Sequence, residues 1–90
     1  LPQDLWHLVA SEEERAAARE DGLALRTLFV AKEAVYKAQQ ALAPLFLEFS
    51  DVAVDLARGV ARARPSGREF RLAVSTLPRV VVVAWAVRER

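Results

Sequence analysis

The sequence has no cysteine, no methionine, one histidine and only three glycines among its 90 residues. Without cysteine, disulfides and thiolate metal sites are excluded, nothing requires an oxidising compartment, and the cytoplasm is the default location. The single histidine, His7, lies beside Trp6 in a short apolar segment. It has no partner for a triad or a metal cluster, so it reads as a structural or surface residue. No serine stands in a recognisable triad context. Gly22, Gly59 and Gly67 are isolated, which fits turns and not a phosphate-cradling loop. The longest apolar run, Val80 to Val87, is eight residues, far short of the roughly 20 that span a bilayer. No basic segment precedes an apolar one at the start, so neither a targeting peptide nor a membrane partner is expected. The lack of methionine even at position 1 leads us to expect a piece of a longer protein, with an N-terminal partner missing.

What is present describes one small domain over residues 1–90. Hydrophobic residues make up 53%, too many for a disordered tail. The net charge of +1 conceals an asymmetry. Residues 1–57 carry five basic and ten acidic residues, a net of −5, whereas residues 58–90 carry eight arginines against Glu69 and Glu89, a net of +6. A basic half is a candidate surface for phosphates or an acidic partner, and equally an arginine-rich solvated sheet face.

Helices precede strands. Pro2 to Val9 reads as a short helical turn anchored by Leu5, Trp6 and Val9. Ser11-Glu12-Glu13-Glu14 is a capping box that opens a helix, and Gly22 suits its left-handed C-terminal cap. A longer helix is expected from about Thr27 to Leu42, because Leu28, Ala31, Val35, Ala38 and Leu42 recur at spacings of 3, 4, 3 and 4. Pro44 ends it. The period then changes to two through Val52, Val54 and Leu56, Val60 to Arg64, and Phe70, Leu72 and Val74. Pro65-Ser66-Gly67 and Leu77-Pro78-Arg79 are breaks. The run Val80 to Val87 reads as the most buried strand, with Trp6 and Trp85 filling core. The fold class is therefore α+β, with the long helix packed on a three- to four-stranded antiparallel sheet.

The chemistry-bearing residues lie on the long helix. At about 100° per residue, Lys32, Glu33, Tyr36 and Lys37 fall off the apolar stripe. Glu33 and Lys37 are surface neighbours four residues apart, and spacing alone makes them an ordinary exposed pair. Tyr36 either packs at an interface or lines a groove.

The wider string Phe29-Val30-Ala31-Lys32-Glu33-Ala34-Val35-Tyr36-Lys37-Ala38 resembles the signature of the 4'-phosphopantetheinyl transferase superfamily. That pattern is an aromatic residue, two small residues, Lys-Glu, a small residue, two more residues and Lys. Leu45 to Val54, with Phe49-Ser50-Asp51, resembles the segment that follows this helix in the enterobactin-synthetase component D-like branch, and the acidic Ser11 helix resembles the segment before it. The resemblance covers nearly the whole chain as the second, C-terminal half of a pseudo-dimeric fold.

The resemblance implies transfer of 4'-phosphopantetheine from coenzyme A to a serine of an acyl or peptidyl carrier protein, with Mg²⁺ as cofactor. It makes Glu33 the metal ligand and a catalytic residue, with the serine's proton going to Glu33 or to a metal-held water. It turns Lys32 and Lys37 toward coenzyme A and its pyrophosphate, and gives Lys37 a catalytic share. The family's other metal ligands, in a Gly-Ile-Asp-hydrophobic-Glu strand, have no counterpart here. Asp4, Asp51 and Asp55 are the nearby carboxylates, and none stands in that context. The basic residues that grip the 3'-phosphate of coenzyme A are missing too, so the isolated chain is expected to be inactive; its expected partner is the absent half or a second copy of itself, and self-association alone would not restore the aspartate strand. Two other readings stand beside this one. A domain that kept the fold and lost catalysis would be an interaction module. Arg58, Arg62, Arg64, Arg68 and Arg71 would mark a nucleic-acid binder, but the region's one aromatic, Phe70, lies on the apolar phase, and no exposed stacking platform accompanies the arginines.

Overall fold

The computed structural model describes residues 10–19 and 21–87. The expected turn at Pro2 to Val9, with Asp4, Trp6 and His7, lies outside the described residues. Helix α1 spans Glu12–Ala18. The capping box forms as the sequence predicts, since the Glu14 backbone N–H donates to Ser11 Oγ at 3.1 Å and Ser11 N–H donates to Glu14 Oε1 at 2.8 Å. Its end differs from expectation. Arg19, at φ 52°, takes the left-handed cap, and Gly22 is instead the first residue of the next helix.

Helix α2 spans Gly22–Leu42, beginning five residues before the expected start at Thr27. Asp21 supplies the reason: its carboxylate accepts from Leu23 N–H at 2.8 Å and Ala24 N–H at 3.4 Å, satisfying donors that a helix start leaves orphaned. The helix stops at Ala43, which is extended at φ −157°, the conformation that a following proline imposes.

A 3-10 turn at Phe49–Asp51 leads into β1 (Val52–Asp55), β2 (Val60–Ala63), β3 (Arg68–Ser75) and β4 (Val81–Ala86). They form one antiparallel sheet in sequence order. Short connections permit nothing more complex, and two of them carry glycines at positive φ, Gly59 at 66° and Gly67 at 69°. Helix α2 lies across one sheet face, which is the α+β arrangement expected. Val52, Val54, Ala61, Ala63, Phe70 and Leu72 meet Leu25, Leu28, Ala31 and Val35 in the core.

Two further expectations fail. Leu42 ends the stripe but is 52% exposed, because it reaches past the sheet. Val80 to Val87 is not the most buried strand. As β4 it forms a sheet edge covered on one face only, so that Val81, Val83 and Trp85 point away from the helix and are exposed. Trp85 therefore fills no core. It stands on the outer sheet face opposite Arg71. A continuous apolar run signals burial on both faces, and this sheet buries one.

Candidate functional site on helix α2

Lys32 and Glu33 are adjacent in sequence and opposite in fate. Lys32 is 1% exposed and ranks among the largest fully buried side chains; the reading that placed it on the exposed face is corrected. Its position is legible afterwards. Leu25, Lys32 and Gln39 recur every seven residues and are all buried, forming a second inward row beside the apolar stripe. Polarity hid two of the three.

A buried ammonium needs partners, and Lys32 has them. Its Nζ lies 2.8 Å from Glu14 Oε1 and donates to the Phe49 carbonyl at 3.1 Å. Glu14, also buried, accepts from Val54 N–H through Oε2 at 2.7 Å. One carboxylate thus joins α1, α2 and β1, and one ammonium joins α2 to the 3-10 turn. Burial lowers the Lys32 pKa below the ordinary lysine value. The hydrogen bond and charge of Glu14 work in the opposite direction, and Arg64 adds to the lowering.

Aromatic packing fixes the same turn from another side. The Phe49 ring stands 5.2 Å from Phe29 and 6.2 Å from Tyr36, centroid to centroid. Tyr36 is half-buried in this cluster. Gln39 closes the far end of α2, donating to the Ala43 carbonyl at 3.0 Å and accepting from Ser66 Oγ at 3.1 Å.

Glu33 and Lys37 sit on the side of α2 away from the sheet, Glu33 half-buried and Lys37 exposed. Among the described residues the ion pairs are Lys32–Glu14 and Arg62–Glu69. The ordinary Glu33–Lys37 pair is not formed. No cluster of three potential metal ligands occurs among the described residues. Asp51 and Asp55 are engaged in local turns, where they accept from Glu48 N–H at 3.0 Å and Arg58 N–H at 3.1 Å. Glu33 offers one hard oxygen donor, which fits Mg²⁺ held mainly by phosphate oxygens and water.

The basic hairpin is arranged differently. Arg62 pairs with Glu69 across β2 and β3, while Phe70 is fully buried and offers no stacking surface. A cavity of about 320 Å³ opens beside α1, lined by Ala17, Ala18, Leu28 and Leu56 among others; its lining includes neither Glu33 nor Lys37. No helix among the described residues is long and apolar enough to cross a membrane.

No curated protein and no solved structure matches the chain. The family model of the 4'-phosphopantetheinyl transferase superfamily, ACPS, matches residues 1–87. That match spans every described element, including the helix that carries Lys32 and Glu33, and the chain accordingly belongs to the 4'-phosphopantetheinyl transferase superfamily.

Proposed function

We propose that this chain is the C-terminal half of a cytoplasmic, Mg²⁺-dependent phosphopantetheinyl transferase, with Glu33 and Lys37 as its contribution to the active site. The observation that carries the reading is the unpaired Glu33–Lys37 face on α2, within a chain of a family that acts on coenzyme A and carrier proteins. In the reaction the carrier serine oxygen bonds to the β-phosphorus of coenzyme A. The bond from that phosphorus to the bridging oxygen breaks, and 3',5'-ADP leaves. The serine proton passes to a nearby base, for which Glu33 and water are the candidates.

Glu33 would be one ligand of Mg²⁺, whose bound charge would lower the cost of the charge developing on the phosphates. The remaining oxygens would come from substrate, water and an aspartate strand of the kind that this sequence does not contain. Lys37, exposed and unpaired, holds the pyrophosphate and offsets charge on the leaving group. Lys32, engaged with Glu14 and Phe49, acts through the helix and not on the phosphates. The half-domain reading also requires a docking face, and the apolar outer side of β4 is suited to the other half of the enzyme.

The test is transfer of labelled phosphopantetheine from coenzyme A to an apo carrier protein by the full-length protein. Glu33→Gln is expected to lower turnover by ~10²-fold or more with the fold intact by circular dichroism. Equal activity would remove Glu33 from the site.

A further inference from the structure

Glu14 has no role in the chemistry above, and it is distant in sequence from Glu33. Yet its carboxylate is almost fully enclosed, its side chain 7% exposed and that of Lys32 1%. It has three donors from three segments: Ser11 N–H, Lys32 Nζ and Val54 N–H. Only the first belongs to its own cap. The other two cross to α2 and to β1, an edge strand of the sheet.

Successive helical residues are about 100° apart around the axis. Wherever Lys32 points, Glu33 is therefore directed by the same rotation. Among the described residues, Lys32 is held inward by Glu14 at 2.8 Å and by the Phe49 carbonyl at 3.1 Å. The apolar stripe contributes to that rotation through Leu28, Ala31 and Val35, while Leu42 at its end is 52% exposed. A charge-assisted pair in an enclosed setting is directional where apolar packing is not. Its removal would leave the rotation of α2 to apolar packing alone.

We propose that Glu14 is a positioning residue for the Glu33–Lys37 face. It holds Lys32 inward, and so sets the rotation of α2 that presents the Glu33 carboxylate beside Lys37. This inference rests on the reading of Glu33 as the metal ligand, and its test separates the two. The variants are Glu14→Gln, Glu14→Asp, Lys32→Met, the double variant Glu14→Gln/Lys32→Met, and Glu33→Gln, all in the full-length protein. Each is assessed by thermal melting, by Mn²⁺ binding followed by electron paramagnetic resonance, and by kcat and KM for coenzyme A with an apo acyl carrier protein.

The single variants at the pair are expected to melt earlier. The double variant, which removes both charges and keeps the volume, regains most of the melting temperature. Its Mn²⁺ affinity still falls at least fivefold and its kcat at least tenfold, while KM for coenzyme A stays within twofold. Glu14→Asp, which keeps the charge and shortens the reach, shows the same pattern more weakly and serves if the double variant does not fold. Wild-type Mn²⁺ affinity and kcat in a folded double variant or in Glu14→Asp would overturn the positioning role and leave a purely structural pair. A raised KM for coenzyme A with kcat retained would also overturn it, since Lys32 would then be a direct phosphate ligand. Unchanged Mn²⁺ binding in Glu33→Gln would instead remove the metal reading, whatever the pair does.

Discussion

Lys32 and Lys37 share a helix and a residue type, and their surroundings separate them. Lys37 is exposed and carries no ion pair among the described residues. On the proposed reading, its replacement costs little in folding and much in the charge stabilisation of the reaction. Lys37→Ala is expected to lower kcat/KM by roughly 2–4 kcal/mol of transition-state stabilisation, with the melting temperature unchanged. Lys32 is enclosed with its partner. Lys32→Met leaves Glu14 as an uncompensated buried charge, which typically costs about 3–5 kcal/mol. Chemical denaturation of the variant should show that loss. A loss below about 1 kcal/mol, the ordinary worth of an exposed pair, would mean that water reaches the pair. Sequence patterning could not separate the two lysines, because a periodicity argument counts polar residues as outward and reads an inward lysine as noise.

At the scale of elements, helix α2 is governed by its ends as much as by its stripe. Asp21 caps the first turn, and the extension of the helix to Gly22 depends on it. Asp21→Ala is expected to cost about 1 kcal/mol and to speed amide exchange at Leu23 and Ala24, while exchange near Val35 changes only by the global loss. Faster exchange along all of α2 would contradict a local cap. The capping box of α1 was legible because it is a four-residue local device. The start of α2 was missed because Gly22 mimics a C-terminal cap, and because an aspartate before glycine and leucine is a weaker signal than a periodic stripe. The strand alternation was read correctly from β1 to β3, although Val74, in the apolar phase of β3, is 41% exposed. It misled at β4, where both phases are apolar and the pattern cannot say which face has a cover.

For the whole molecule, that second apolar phase has a consequence. Val81, Val83 and Trp85 project from the outer face of β4, and Ala73 lies opposite Val83. The 90 residues alone are expected to self-associate at high concentration, since an uncovered apolar patch at a sheet edge invites pairing. Sedimentation velocity should record a shift toward larger species with loading concentration, and Val83→Lys should reduce it without lowering the melting temperature. A concentration-independent monomer would count against a docking face on β4. On the proposed reading of Glu33 as one metal ligand, the same chain is not expected to transfer phosphopantetheine by itself, since the described residues hold no cluster of three potential ligands.

The sequence by itself determined the order of elements, the α+β class, the capping box and the family, since each depends on local spacing or on a contiguous string. It also brought Glu33 and Lys37 to one helix face, a matter of helical geometry alone. Tertiary structure decided the rest. It turned Lys32 inward, because a carboxylate from α1 and a carbonyl from the 3-10 turn meet there, and both are far away in sequence. It left Glu33 unpaired, occupied Asp51 and Asp55 with turn amides, and put β4 at an edge. Such outcomes depend on which distant groups arrive at a given point in space, and no spacing along the chain encodes that.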